Sequence, residues 1–122
     1  MARNYFIDIL DFVRIRVGVR LVKNKVVGMV VQLEILLDDW TPVVRYDYAH
    51  GIPHRDLMFS DGEKRKEEVE ESDLNRALSD KCGCATSSPM LGRALSFAVK
   101  DLKLNWEKYL RRHGYEKEIE DI

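Results

Sequence analysis

Amides are scarce in this chain. Gln occurs once, at Gln32, and Asn four times, against 20 Lys and Arg and 21 Asp and Glu. Few thermolabile amides beside many charges is the bias of heat-adapted proteins, and it points to a thermophilic source. Cysteine is nearly missing as well. Its two occurrences, Cys82 and Cys84, stand one residue apart. A small secreted domain held by disulfides carries more of them, spread along the chain. Two thiols at this spacing do not complete a tetrahedral zinc site either, so both are expected to be dispensable. No stretch reaches the roughly 18 apolar residues that a spanning helix needs. Asp8 and Asp11 interrupt the region where a secretory leader has an unbroken apolar run. The expectation is a cytoplasmic protein with no membrane contact. The formal net charge is only −1, so no global field draws the molecule to nucleic acid, and polyanion binding requires a local patch.

What is present suits one compact unit. The 122 residues are 45% hydrophobic and 34% charged, too apolar for disorder and of ordinary single-domain size. No repeat or linker divides them. Residues 1–122 are therefore read as one domain, with an ambiguous start at 1–11 and a tail, 115–122, expected to fray.

Val13, Ile15, Val17, Val19 and Leu21 alternate with Arg14, Arg16, Gly18 and Arg20, the period-two signature of a half-buried strand. Lys23-Asn24-Lys25 reads as a turn into a second strand, Val26 to Leu37, which makes an antiparallel hairpin. Val43 to Ala49 and Arg55 to Ser60 follow as further strands, joined by the Gly/Pro turn His50-Gly51-Ile52-Pro53-His54. The charge run Lys64 to Glu71 reads as a solvated edge strand or loop. Ser72 and Gly83 bracket a short helix as cap residues. Ser88-Pro89 opens a long one, whose stripe runs through Leu91, Leu95, Ala98, Val99, Leu102, Trp106, Tyr109 and Leu110 to Gly114. Strands followed by helices give the α+β class, here a four- to five-stranded antiparallel meander with the long helix packed on one face.

The chemically pointed stretch is Arg45 to Asp56. His50 and His54 flank a turn, so a hairpin brings their backbones close. A metal-independent ribonuclease needs one group to take the 2′-hydroxyl proton and one to protonate the leaving 5′-oxygen, and His does both near neutral pH. Arg45 and Arg55 offer forked donors for phosphate oxygens. Asp47 or Asp56 suits the orienting role of an acid beside an imidazole. The same residues also fit cross-strand ion pairs on a solvated face. A metal alternative uses Asp47, His50, His54 and Asp56, two nitrogens and two oxygens; Gly51 and Pro53 exclude the helix on which an H-x-x-x-H pair is strongest. Arg14, Arg16 and Arg20 share one strand face and form a cationic stripe able to track a phosphate backbone, or to pair with Glu34 on the next strand.

The segment W-T-P-V-V-R-Y-D-Y-A-H-G-I-P-H-R-D, Trp40 to Asp56, resembles the signature of a family of small uncharacterised archaeal and bacterial proteins. Its members usually end in a helix like L-K-L-N-W-E-K-Y. More distantly the layout from about Val30 to Leu110 is similar to the TumE family of toxin–antitoxin toxins. There a strand ends R-Y-D, a His-containing turn follows, and a second His stands beside basic residues. Arg45, Tyr46, Asp47, His50, His54 and Arg55 match that pattern. Asp56 departs from it, standing where those toxins tend to carry His or a basic residue, and so does the inserted loop Cys82 to Ser88. The resemblance implies a small toxin encoded beside an antitoxin, acting on RNA without a cofactor. The rival expectation is a non-catalytic interaction module, either the partner half of such a pair or a homodimer built on a sheet edge.

Overall fold

The computed structural model describes residues 2–48, 54–68 and 89–119. Six strands come first: β1 (Ala2–Leu10), β2 (Val13–Val22), β3 (Lys25–Leu36), β4 (Trp40–Tyr48), β5 (His54–Met58) and β6 (Lys64–Glu68). They form one antiparallel sheet in sequence order. Two helices follow, α1 (Pro89–Arg112) and the four-residue α2 (Glu116–Ile119). The α+β class holds. The strand count exceeds the four or five expected, because the ambiguous first residues form β1 and the charge run forms the edge strand β6. The short helix expected between Ser72 and Gly83, and Cys82 and Cys84 with it, fall outside the described residues.

The β2–β3 hairpin is the tightest joint. Lys23 and Asn24 both take positive φ, 52° and 65°. That is the left-handed pair of a two-residue turn whose twist matches the flanking strands. Across the pair, Val13, Ile15, Val17 and Val19 stand opposite Ile35, Leu33, Val31 and Met29, and all eight are buried. Helix α1 covers this face through Ala94, Ala98, Leu102, Tyr109 and Leu110. Leu95, Val99 and Trp106 flank that stripe and are only partly buried, so the helix sits rotated towards its alanines. Small residues at 94 and 98 let the helix approach the strands closely.

A bulge marks the middle of β4. Leu33 pairs with Val44 and Glu34 with Pro42, which leaves Val43 as the extra residue. Pro42 is tolerated there because the ladder is already broken. Val43 and Val44 are both fully buried. Beyond α1 the chain turns at Gly114, whose φ of 93° needs glycine, and whose Cβ, if it had one, would meet the Ser60 side chain. Ser60 N donates to the His113 carbonyl oxygen at 2.8 Å, tying the helix end to the β5–β6 turn. The stretch expected to fray is folded as far as Ile119: Tyr115 and Ile119 are both buried in the core. Among the described residues no helix is long and apolar enough to cross a membrane.

Candidate functional site

The register divides the Arg45–Asp56 stretch between two faces. Paired residues of an antiparallel sheet share a face, and neighbours along a strand alternate. Arg45 stands opposite Asp56, and Asp47 opposite His54. These four lie on the face away from α1. Tyr46 stands opposite Arg55, and both turn towards the helix. Arg55 is therefore not beside His54, against the expectation of a single cluster. His50 lies outside the described residues.

On the open face β1 to β4 floor a trough of about 710 Å³. Arg16, Arg20, Arg45, Asp47, Asn4 and Gln32 supply its polar lining, and Gly18 and Gly28 its bare backbone. A Cβ at Gly18 would lie 3.0 Å from Asn4 Oδ1, so a larger residue there displaces the end of that exposed side chain. Arg45 Nη2 lies 3.6 Å from Asp47 Oδ2, an ion pair at the surface. No ion pair among the described residues joins Arg16 or Arg20.

Arg14, the third arginine of the expected stripe, is engaged otherwise. Its Nε donates to Glu34 Oε1 at 2.7 Å, and its guanidinium lies 4.1 Å from the Phe6 ring centre and 4.0 Å from that of Trp40. Gln32 Nε2 donates to the other Glu34 oxygen at 2.6 Å. Glu34 is 4% exposed, so this buried carboxylate is satisfied from both sides. The pairing with Glu34 holds for Arg14, and the arginines left for a ligand are Arg16, Arg20 and Arg45. Of the metal alternative, Asp47, His54 and Asp56 are described and His50 is not; among the described residues no three His, Cys, Asp or Glu side chains form a group that could hold an ion.

Beneath the sheet a second polar group gathers, outside the stretch singled out in the sequence. Tyr46 Oη and Tyr109 Oη both donate to Asp101 Oδ2 at 2.5 Å. Arg55 Nη1 donates to the same two hydroxyl oxygens at 2.9 and 2.8 Å, and Arg55 Nη2 pairs with Glu67 at 2.6 Å. Asn105 Nδ2 donates to the free Asp101 oxygen at 2.8 Å. Burial pushes both phenols well above the usual tyrosine range, and the Asp101 charge adds to it. Both phenols donate to the same carboxylate oxygen. For Arg55 burial opposes the charge, and the two tyrosine oxygens and Glu67 outweigh it. The unit clamps α1 to β4, β5 and β6. Asp101, Asn105 and Tyr109 recur every fourth residue, so one helix face carrying acid, amide and phenol was the available signal.

The third histidine is structural. His113 is buried, and its Nδ1 lies 3.0 Å from the Val43 carbonyl oxygen and 2.9 Å from that of Met58. Two acceptors at one nitrogen assign the proton to Nδ1, and the ring fixes the helix end against the β4 bulge. Burial lowers its pKa from the ordinary 6.5, opposed by the carbonyls and Glu67. The folded state then binds fewer protons than the unfolded one below pH 6.5. Its contribution is complete above that pH and is lost as pH falls through the folded value. Unfolding free energies measured from pH 7.5 down to 5 are expected to fall faster for the wild type than for His113→Gln. Parallel curves would remove His113 as the titrating group.

No curated protein and no solved structure shows significant similarity to the chain. A family model described as a domain of unknown function matches residues 1–83, which span the whole sheet and stop short of α1. The chain belongs to that family, DUF7718.

Proposed function

We propose that the open face of the sheet binds RNA, and that the protein is a TumE-like toxin that cleaves it without a metal. The observation that carries this reading is the trough itself. Arg16, Arg20 and Arg45 line it, and Asp47, which stands opposite His54, closes one side. Guanidinium groups on a groove with a bare glycine floor suit a phosphodiester chain, which needs cationic forks and close backbone approach. His54 and His50 are the proton-transfer pair, one taking the 2′-hydroxyl proton and the other protonating the leaving 5′-oxygen. Asp47 orients His54, and Arg45 neutralises charge on the phosphate. Arg55 is reassigned from the phosphate to the Asp101 clamp, where it positions β5. A cognate antitoxin is the expected protein partner.

Binding is tested apart from cleavage. Titration of a labelled single-stranded RNA at several salt concentrations is expected to show a negative log–log slope that shrinks by roughly 0.7 per arginine in Arg16→Ala and Arg45→Ala. Arg65→Ala, on β6, is the control and leaves the slope alone. An unchanged slope in both trough variants sinks the reading. The alternative of a non-catalytic interaction module is favoured by one observation, the exposed outer edge of β1.

A further inference from the structure

The two edges of the sheet are built differently. The β6 edge, Lys64–Glu68, reads K-R-K-E-E, and Lys64, Arg65, Lys66 and Glu67 are exposed. Charges on an edge strand are a common device against pairing with another chain. The β1 edge carries only two charges, Arg3 and Asp8, with the uncharged run Asn4 to Ile7 between them. It runs nine residues, Ala2–Leu10, without proline, and pairs only with β2 among the described residues. It carries two large exposed aromatics, Tyr5 at 45% on the helix side and Phe6 at 51% on the open side. The stretch from Ala2 to Asp8 is regular up to the bulge between Asp8 and Leu10, and an edge whose outer backbone groups are unpaired among the described residues is a template for one more strand.

We infer that the strand it takes is β1 of a second copy, paired antiparallel about a two-fold axis at Phe6. The side-chain pattern within each face favours a copy in this sense. Asn4, Phe6 and Asp8 share the open side of β1, and Tyr5 and Ile7 the helix side. Antiparallel copies bring the amide end of each open-side row beside the carboxylate end of its mate, whereas parallel copies put the helix side of one copy beside the open side of the other. The axis passes through a residue, because the two-fold that relates antiparallel strands keeps each face of the sheet on its own side, and only residues of equal parity then meet. With Phe6 on the axis, Asn4 stands opposite Asp8 as donor against carboxylate, and Tyr5 opposite Ile7 as an apolar pair, each twice over. The interface is isologous and closes at two copies, which the alternative of β1 on a β6 edge does not. Ala2 and Asn4 of β1 line the trough, so the pairing carries the open face of one copy directly into that of the other. The inference stands on the edge strand and does not depend on the open face binding RNA.

The test combines mass and register. Sedimentation equilibrium of the full chain is expected to give twice the chain mass at tens of micromolar. Tyr5→Lys, which places a charge on the edge, is expected to give monomer with an unchanged circular dichroism spectrum. Register is read by oxidation in a Cys82→Ser, Cys84→Ser background. Directly opposed residues bring Cα atoms within about 4.5–5.5 Å, which suits a disulfide. Phe6→Cys is expected to cross-link to a covalent dimer, and Asn4→Cys to remain monomeric on denaturing gels. A monomeric wild type, open-ended polymers, a dimer that persists in Tyr5→Lys, or cross-linking at position 4 instead of 6 overturns the inference.

Discussion

Asp101→Ala is expected to lower the unfolding free energy by about 2–4 kcal/mol and the melting temperature by roughly 10 °C or more. The carboxylate accepts from Tyr46, Tyr109 and Asn105 and stands 3.6 Å from Arg55. Its removal strands two phenolic donors and leaves Glu67 as the one carboxylate paired with Arg55 among the described residues, beside the two phenol oxygens. An orphaned buried donor costs about 1–3 kcal/mol, and a charge that loses its partner costs more. The Asp101 side chain keeps 14% of its surface exposed, so water replaces part of what is lost and the upper end is not reached. Asp101→Asn keeps an acceptor without the charge and is expected to fall between. A double-mutant cycle with Tyr109→Phe should return a coupling of about 0.5–3 kcal/mol, since the two groups share one bond. A loss under 0.5 kcal/mol for Asp101→Ala, with no coupling to Tyr109, would mean that the clamp contributes nothing to the fold.

How far such a unit can be read beforehand depends on the range of the signal. β2 is legible because its period is local: Val13 to Val19 alternate with arginines and glycine, and every one of those valines and isoleucines is buried. β1 resists the same reading because an edge strand away from the helix is exposed on both faces, so Tyr5 and Phe6 carry no contrast. β6 has no apolar residue at all and shows only as a run of charge. On α1 the stripe is legible but its centre is not, since Trp106 is the largest residue on it and yet lies on the flank, while Ala94 and Ala98 face the strands. The Arg45–Asp56 stretch shows the limit most clearly. Alternation along β5 alone places Arg55 on the face opposite His54, but the common chemistry of the six residues suggested one cluster. Asp101 lies 55 residues from Tyr46, and no local pattern joins them.

His54→Ala is expected to lower the rate of RNA cleavage by ~10²–10⁴-fold, the usual contribution of one general acid or base. In the proposed reaction the base takes the 2′-hydroxyl proton, O2′ attacks phosphorus, and the bond to O5′ breaks as the acid protonates it. The products are a 2′,3′-cyclic phosphate and a 5′-hydroxyl, which end-group analysis of cleaved RNA reads directly. Arg45→Ala is expected to slow cleavage as well, because its guanidinium meets charge that grows in the transition state. Asp47→Asn should slow it less, by loosening the imidazole opposite. Arg55→Ala provides the contrast: it breaks the Asp101 clamp, so melting falls while the rate per folded molecule holds. His50→Ala and His54→Ala together should be little worse than either alone if the two act as a unit. The rate should peak near neutral pH and survive chelator. Cleavage by His54→Ala within threefold of wild type would remove the histidine from the chemistry. Loss of activity on chelation would replace acid–base cleavage with a metal-assisted reaction, and retained RNA binding without any cleavage would leave the open face as a binding platform alone.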